Sequence, residues 1–418
     1  GGDGPGDVAV IGLRDEPDEQ VQRPVAIDFE EVGNISILGA GGTGKTSALL
    51  TLAASLSSAA GASPVQLYGI DAAGGALDAL TALPTVGAVA PLGDLELTER
   101  VLRRVLDLIA ERGPRFAAAR AGGLRAYRGT PEGAAEPRVI LLLDGFAAFR
   151  QTTETLGGRA SLFQLLGEIM TTGRSVGVHA VLTGDRPSSI PAAMASTLQQ
   201  QYVLRLAASH DYGYLGVPAD ALDEAPPGRA LLAGEGDEIQ FALAGGEPEL
   251  AAQAAAIESL AHRLRQQGVP QGPQVRNAPA LVPLAELPAE TAGRPVFGID
   301  TRTLEPIGMP VGGLGVLSGP AGSGLSTAAR GCVAALRRWA SERGEAVESV
   351  LLTFVREGLR SEASWDRVAY GEEEIGELAR ELTVALGGRP AVRPAAAGLG
   401  GLIGGPIGGP IGGATAGS

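Results

Sequence analysis

The sequence predicts an α/β protein with two phosphate-binding-loop modules in tandem, each a mostly parallel sheet flanked by helices, and the second module incomplete. Three observations carry this prediction. An apolar strand leads into a glycine-rich loop followed by a helix, apolar strands then alternate with helices, and the same order begins again late in the chain. Such alternation is typical of a parallel sheet with helices on both faces.

The glycine-rich loop, residues 39–46, has the sequence Gly-Ala-Gly-Gly-Thr-Gly-Lys-Thr, the full pattern of a phosphate-binding loop. Its Lys45 is the only lysine in the chain, although arginine is common elsewhere. A compact ammonium fits a tight loop around phosphate better than a planar guanidinium does. A predicted strand, Val32–Leu38, precedes the loop and a predicted helix, Ser47–Ser58, follows it, so backbone N–H groups and the helix N-terminus converge on an anion.

We therefore expect ATP to bind at this loop, with Lys45 on the β- and γ-phosphates and the Thr46 hydroxyl on Mg²⁺. The alternative is an ordinary glycine-rich turn before a helix. The residues expected to bind the nucleotide are Gly39, Ala40, Gly41, Gly42, Thr43, Gly44, Lys45, Thr46 and Ser47.

Asp144 closes the continuous apolar strand Arg138–Asp144, a pattern typical of the strand whose acid holds Mg²⁺ through water. A strand-ending aspartate that caps a turn is the alternative. Many ATPases of this type carry a glutamate at the next position to polarise the attacking water, but here the residue is Gly145. Because loss of a general base costs about 10²–10⁴ in rate, we expect hydrolysis to be slow or dependent on assembly.

The segment Gly173–Pro187 has an unusual order: a Gly-Arg turn, a short strand containing His179, and an Arg-Pro turn. It predicts a strand beside the nucleotide whose C-terminal loop senses the γ-phosphate. Arg174 or Arg186 serves that loop or pairs with a neighbouring acid, and the sequence leaves both open. His179 lies within an apolar run, which favours a core histidine over a ligand. The catalytic candidates are Lys45, Asp144 and Asp185.

The other predicted elements of the first module follow the same alternation. They are strand Val8–Leu13, strand Val65–Asp71, helix Leu95–Ala121, helix Leu162–Thr172, strand Val176–Thr183, strand Gln201–Leu206, the strand pair Ala230–Leu232 and Ile239–Leu243, and helix Glu249–Gln267.

A second, poorer copy of the pattern begins with strand Val296–Asp300. A predicted strand at Val311–Leu317 leads into the loop Gly319–Ser326, an alanine-rich helix follows, and Ser349–Val355 matches the second strand of the first module. Leu325 stands where the loop needs lysine, and leucine supplies no charge for phosphate. We expect weak ATP binding there, occupation by a protein partner, or a purely structural remnant.

The composition bears on several function classes. A net charge of −14 over 418 residues argues against a general nucleic-acid surface, because affinity for DNA comes largely from neutralised phosphates. A single cysteine, Cys332, excludes an intrachain disulfide framework and fits a reducing cytosol. The sequence has no run of about 20 apolar residues. Because the chain begins at Gly1 and not at Met, we expect a fragment, with any membrane anchor outside it.

The expected organisation has five parts. A flexible lead at 1–7 precedes the first module at 8–247, and a helix with a Pro/Gly-rich linker at 248–292 leads to a partial, degenerate module at 293–390. The tail at 391–418 repeats Ile-Gly-Gly-Pro. This composition predicts a disordered tail, the alternative being a segment that contacts a membrane or a partner.

These residues together resemble the FtsK/SpoIIIE family of RecA-like motor ATPases, over most of 8–245 and more weakly over 293–388. In that family the Gly-Arg, Gly-x-His and Arg-Pro order follows the aspartate strand, as it does at Gly173–Pro187. Asp71–Leu77 resembles the family's Asp-x-x-Gly-Gly-x-Leu stretch, and Pro226–Ala230 resembles its Pro-Gly-Arg-Gly segment.

Within the family, Val10–Pro17 followed by Gln20 looks like the entry segment of the EccC/EssC ATPases of type VII secretion. The resemblance implies tandem RecA-like P-loop NTPase modules, corresponding to the second and part of the third of that branch. It further implies ATP and Mg²⁺ as cofactors and a hexamer at the cytoplasmic face of the plasma membrane, beside a secretion channel. The resemblance also implies substrates that are small helical proteins engaged through a C-terminal signal.

The departures from the family pattern concern hydrolysis. Gly145 and Leu325 lack the expected functional groups, and Asp185 stands where the DNA-translocating branch usually carries a sensor glutamine. Gln201 occupies a position where many relatives carry an arginine, so the resemblance assigns no arginine finger.

Three functions therefore compete: an ATPase module of a secretion motor, a double-stranded DNA translocase, and a non-catalytic scaffold whose pockets dock peptides. The acidic charge disfavours the translocase. Retention of Lys45 and Thr46 disfavours the scaffold for the first module and is neutral for the second.

Overall fold

The structure is a computed structural model that describes residues 8–16, 20–61, 63–154, 161–235, 238–301, 303–312, 315–320, 322–354 and 365–385. The chain divides into two compact units, Gly1–Ala278 and Pro279–Ser418. The expectations for the lead at 1–7 and the tail at 391–418 fall on residues outside those described.

Among the described residues of the first unit, ten strands form one sheet in the order β2-β1-β10-β9-β8-β3-β7-β6-β4-β5. The strands are β1 Val8–Glu16, β2 Val21–Asp28, β3 Asn34–Leu38, β4 Val65–Asp71, β5 Val86–Pro91, β6 Arg138–Asp144, β7 Val178–Gly184, β8 Leu198–Leu204, β9 Arg229–Leu232 and β10 Glu238–Phe241. The six strands from β8 to β5 are parallel, whereas β9, β10, β1 and β2 pair antiparallel.

Helices cover both faces of this sheet. They are α1 Lys45–Ser58, α2 Leu95–Ala118, α3 Leu124–Arg128, α4 Phe146–Glu154, α5 Leu162–Thr172, α6 Ala192–Ala195, α7 His210–Gly213 and α8 Leu250–Gln266. Apolar side chains from α2, α4 and α5 form one buried cluster, and those from α1 and α8 form another.

Strand β6 shows how an uninterrupted apolar run produces this layered core. Successive side chains of a strand point to opposite faces of the sheet. Leu141 and Leu143 accordingly belong to the cluster with α2, whereas Ile140 and Leu142 belong to the cluster with α1. A strand that is buried on both faces carries no polar alternation, which explains the sequence of β6.

The predicted bounds are confirmed for strands Val65–Asp71 and Arg138–Asp144 and for helix Leu162–Thr172. The other predicted elements of this unit are present with ends shifted by a few residues. Strands β2 and β5 and helix α4 were not predicted. Strand β2 lies at the sheet edge with most of its residues exposed and Pro24 within it, so it lacks a regular apolar period.

The segment 248–278 belongs to the first unit, although the sequence placed 248–292 between the modules. Helix α8 buries Ile257 fully. The Gly272 amide donates to the Pro84 carbonyl at 2.8 Å and the Val275 amide to the Gly87 carbonyl at 3.0 Å. Part of the expected linker thus bonds along edge strand β5, where an exposed strand would otherwise offer unpaired backbone groups.

The described part of the second unit contains two small sheets. Strands β11 Glu290–Thr291, β12 Arg294–Ile299 and β13 Pro306–Gly308 pair antiparallel, whereas β14 Val350–Thr353 and β15 Arg367–Tyr370 pair parallel. Its two longer helices are α9 Leu325–Glu342 and α10 Gly371–Ala385.

The strand expected at Val311–Leu317 is wrong, because the described residues 311–312 and 315–317 contain no strand. Val316 is 79% exposed. The apolar run has no sheet neighbour among the described residues, so its sequence pattern alone does not produce a strand. Across the described part of the chain, no helix has the length and apolar character needed to cross a membrane.

Candidate nucleotide site

The loop at residues 39–46 leaves the carboxyl end of β3, between β7 and β8 in the sheet. Its first residues are bonded to both neighbouring strand ends: the Gly39 amide donates to the Gly184 carbonyl at 3.0 Å, and the Ala40 amide donates to the Arg205 carbonyl at 2.8 Å. Ligands of open α/β sheets bind at this carboxyl edge. The sheet therefore fixes where the loop begins.

The far end of the loop is held by the turn before β9. The Gly228 amide donates to the Thr43 carbonyl at 2.8 Å. Gly44 precedes α1 with φ of 102°, a left-handed conformation that favours glycine, and a Cβ there would approach Gly228 N to 3.1 Å. No side chain caps the N-terminus of α1, so its first N–H groups face the loop interior.

Lys45 points back across the loop. Its Nζ donates to the carbonyl oxygens of Gly39 and Ala40 and lies 3.0 Å from Asp185 Oδ1. The lysine side chain is 12% exposed, whereas that of Asp185 is 68% exposed. The sequence prediction of a phosphate-facing ammonium thus corresponds to a cation within the loop, bonded to groups that phosphate oxygens can replace.

Thr46 and Asp144, the two residues of the metal prediction, are hydrogen-bonded to each other. Thr46 Oγ1 donates to Asp144 Oδ2 at 2.6 Å, and Asp144 Oδ1 accepts from the Thr183 hydroxyl. Burial raises the pKa of Asp144 above its ordinary value; the two hydroxyl bonds oppose this, Asp71 adds to it, and Lys45 opposes it. A buried carboxylate without a full cation partner is suited to a metal ion.

The donor set fits Mg²⁺ that arrives with a nucleotide. One hydroxyl and one carboxylate are too few to hold the ion alone, and the described residues contain no group of three His, Cys, Asp or Glu side chains that could do so. Mg²⁺ typically keeps several waters and takes one or two protein ligands plus phosphate oxygens.

Gly145 has no space for a catalytic glutamate. Its φ is 86°, and a Cβ would lie 2.9 Å from Ala72 C and 3.1 Å from Ala73 N. Its amide donates to the Thr183 hydroxyl at 2.8 Å. The backbone conformation at Gly145 therefore excludes a general base at this position, so restoring one would take more than a single side-chain substitution.

Asp71 explains why the Ala72–Ala73 backbone occupies that position. Its Oδ1 accepts from the amides of Ala73, Gly74 and Gly75, and its Oδ2 accepts from Leu77 at 2.9 Å. Burial alone would raise the pKa of Asp71, but these four backbone bonds outweigh it and lower the pKa. Both carboxylate oxygens are committed to the loop, so Asp71 is a structural residue.

A cavity of about 460 Å³ opens beside the loop and α1. Gly42, Gly44, Lys45, Thr46 and Ser47 line its inner part. Its outer wall, which the sequence analysis missed, contains Pro227, Gly228, Phe241, Leu243, Pro248 and Leu250. A largely apolar outer end is the usual setting for a nucleoside. The signal for this wall was the turn before the strand pair β9–β10, which the sequence placed correctly but left without a role.

The two arginines of the Gly173–Pro187 segment lie at opposite ends of β7. Arg174 precedes the strand, donates to the Glu31 carbonyl at 2.9 Å, and lines a separate cavity of about 580 Å³. This cavity is larger than the one at the loop but lies at the amino-terminal end of the strands, where the phosphate-binding loop does not reach. Arg174 is therefore too far along the strand to sense a γ-phosphate at the loop. Arg186 is exposed and follows Asp185 at the carboxyl end of β7, on the side of the loop.

His179 is a core residue, as expected. It is 1% exposed, and Arg138 Nη1 lies 2.8 Å from Nε2 while the Gly33 carbonyl lies 3.2 Å from Nδ1. Since an arginine can only donate, Nε2 accepts and Nδ1 carries the proton.

Comparisons with known proteins agree with this geometry. The FtsK/SpoIIIE family matches residues 12–219. The ESX secretion system protein EccC of Thermomonospora curvata is 30% identical over 310 residues, covering 72% of this chain and 23% of the relative. The ESX-4 secretion system protein EccC4 of Mycobacterium tuberculosis is 30% identical over 313 residues, covering 72% and 24%. The chain thus spans about a quarter of the length of these relatives.

Solved structures share the fold. ATPases 2 and 3 of EssC from Geobacillus thermodenitrificans superpose with a TM-score of 0.71 at 22% identity, covering 91% of this chain and 73% of that one. Thermomonospora curvata EccC (ATPases 2 and 3), in complex with a signal sequence peptide, gives 0.65 at 24% identity, covering 93% and 72%. Residues 12–219 of this chain therefore form a domain that belongs to the FtsK/SpoIIIE family and is similar to the EccC and EssC ATPases of type VII secretion.

Proposed function

We propose that this chain is the ATP-binding portion of a type VII secretion motor, in which nucleotide binding at residues 39–46 is coupled to export of small helical proteins. The observation that carries the proposal is the meeting of Lys45, Thr46 and Asp144 at the carboxyl edge of the sheet in an FtsK/SpoIIIE domain.

In this proposal each residue of the loop has its own contact with the nucleotide. Loop N–H groups and the N-terminus of α1 donate to the phosphates, and Lys45 moves its ammonium from the carbonyls to the β- and γ-phosphate oxygens. Thr46 and Asp144 would hold Mg²⁺, Thr46 through its hydroxyl oxygen and Asp144 through water. The ion would neutralise phosphate charge.

Hydrolysis is weak in this proposal. Both carboxylate oxygens of Asp71 accept hydrogen bonds from backbone amides, Asp144 faces the metal position, and Gly145 has no space for a side chain. No group of these three can take a proton from an attacking water. In this proposal rapid turnover depends on another base, which is either Asp185 beside Lys45 or a residue supplied by a neighbouring subunit.

The proposed partners follow from the relatives. One EccC structure contains a signal sequence peptide, and we extend this to secreted small helical proteins that carry a C-terminal signal. Other subunits of a hexamer and a membrane channel complete the proposed assembly at the cytoplasmic face of the plasma membrane. The net charge of −14 disfavours DNA as the cargo.

The test is a calorimetric titration of Mg·ATP into the chain and into a Lys45→Ala variant, with phosphate release followed in parallel. We expect binding to the unchanged chain, its loss in the variant, and little phosphate release. Absence of Mg·ATP binding to the unchanged chain would refute the proposal. Salt-dependent affinity for double-stranded DNA would favour a translocase instead.

A further inference from the structure

We infer that Asp185 is a specificity residue of this site, which disfavours a nucleoside triphosphate relative to a diphosphate by competing with the γ-phosphate for Lys45. The inference rests on the proposed function, since it concerns the same nucleotide pocket. Its starting observation is the 3.0 Å contact between Lys45 Nζ and Asp185 Oδ1.

The backbone fixes this carboxylate beside the loop. Strands β3 and β7 are parallel neighbours, with Leu38 opposite Gly184 in the register. The Gly39 amide also donates to the Gly184 carbonyl at 3.0 Å. The residue after Gly184 therefore emerges directly next to the start of the loop, and Asp185 faces the ammonium from the strand side.

The position of Asp185 matters for the last phosphate of the nucleotide. A phosphate-binding loop cradles the α- and β-phosphates with its backbone, and its lysine reaches the β- and γ-phosphates. The Mg²⁺ ligands also lie on the strand side, where Thr46 meets Asp144. A γ-phosphate placed between them and Lys45 meets the Asp185 carboxylate at short range, and two anions then share one ammonium.

A diphosphate leaves that position to Asp185. Its β-phosphate occupies the loop while Lys45 keeps its contact with the carboxylate, so little electrostatic free energy is lost. Because the Asp185 side chain is 68% exposed, solvent screens the repulsion, and the expected effect is a few-fold and not many orders of magnitude.

The experiment measures dissociation constants for Mg·ATP and Mg·ADP by calorimetry on the full chain and on Asp185→Asn and Asp185→Gln variants. We expect both variants to bind Mg·ATP about 3- to 10-fold more tightly and Mg·ADP within about twofold of the unchanged chain. Asp220→Asn is the matched control: it removes the same charge from an exposed residue whose side chain makes no contact with Lys45.

Each outcome decides a separate claim. Equal tightening for both nucleotides, or the same change in Asp220→Asn, would overturn the inference and leave only a general charge effect. Unchanged or weaker Mg·ATP binding in the Asp185 variants would also overturn it. If the unchanged chain binds neither nucleotide, the proposed function fails and the inference falls with it.

Discussion

The two phosphate-type loops of this chain enter their helices in the same way but have different surroundings. Gly44 and Gly324 each precede a long helix in a left-handed conformation, with φ of 102° and 87°, and neither helix has a side-chain cap. The glycine-rich pattern therefore produces the same left-handed glycine and the same helix start in both units.

What differs is the support around each loop. In the first, Thr43 is 3% exposed, and backbone bonds reach the loop from two neighbouring strand ends and one turn. In the second, the described loop residues are exposed, and no strand precedes them among residues 315–320. Local sequence sets the turn, but a parallel sheet is needed to place it where phosphate, metal and lysine meet.

The largest expected effect contrasts a fully buried position of the first unit with an exposed position of the second. Leu142 in β6 is 0% exposed, whereas Leu352 in β14 is 44% exposed. Leu142→Ala should destabilise the first unit by about 2–5 kcal/mol, because the neighbouring buried side chains only partly fill the cavity that it leaves. Leu352→Ala should cost less than about 1 kcal/mol in the second unit. Urea unfolding followed by hydrogen exchange in each unit measures both, and equal costs would contradict the comparison.

Exchanging the key residues of the loops tests whether lysine alone makes a site. Lys45→Leu should weaken Mg·ATP binding by about 2–5 kcal/mol, through loss of a charge partner inside a closed loop. Leu325→Lys should add no second site, since its loop lacks a supporting strand in the described residues. Calorimetric stoichiometry separates the cases, and two sites in Leu325→Lys would show that side-chain chemistry suffices.

Substitutions at Gly145, the residue after strand β6, should destabilise the fold without restoring a general base. Gly145→Ala should cost about 1–3 kcal/mol, because it forces a Cβ against the Ala72 backbone at positive φ. Gly93→Ala, at a position with nothing within 4 Å, is the matched control and should change stability by less than about 0.5 kcal/mol. Gly145→Glu should likewise fail to raise phosphate release. A rate gain of ten-fold or more would show that the backbone can yield.

The smallest expected effects are on how the stability of each unit depends on pH, and they have opposite directions in the two units. Burial raises the pKa of Asp144 above 3.8, so its ionised form destabilises the fold. The stability advantage of its protonated form is full below that value and is lost as pH rises through the raised pKa. The affinity for Mg²⁺ should change with pH in the opposite direction, because only the ionised carboxylate would hold a metal-bound water. Mg·ATP affinity should therefore fall on acidification, and less so in Asp144→Asn.

Asp366 in the second unit provides the contrast. The Ser349 amide and hydroxyl and the Arg337 guanidinium lower the pKa of its carboxyl from 3.8 to about 2. Its stabilisation is present above pH 3.8 and lost as pH falls toward about 2. Asp366→Asn should therefore weaken the second unit at neutral pH and be neutral near pH 2. A uniform cost at both pH values would contradict this assignment.

Sequence alone predicted the features that rest on local pattern. The loop, its helix, Asp144 at the end of a doubly buried strand, and His179 in the core all follow from apolar runs and glycine spacing. These positions have strong periodic or motif signals that the tertiary structure reinforces.

Other features depend on contacts that sequence does not encode locally. The bond from Gly228 to the loop and the Lys45–Asp185 pair join residues far apart in the chain. The sequence left the role of Arg174 open, and its contact with the Glu31 carbonyl, 143 residues away in the chain, could not be read from a local pattern. The strand predicted at Val311–Leu317 failed because an apolar run needs sheet neighbours.

Only the loop supported by the sheet should bind nucleotide. Hydrogen–deuterium exchange with and without saturating Mg·ATP tests this directly, because it locates binding within the chain. We predict slowed exchange in peptides covering residues 39–46 and none in peptides covering 319–326. Protection of the second loop, or no protection of the first, would show that sheet support does not decide which loop binds nucleotide.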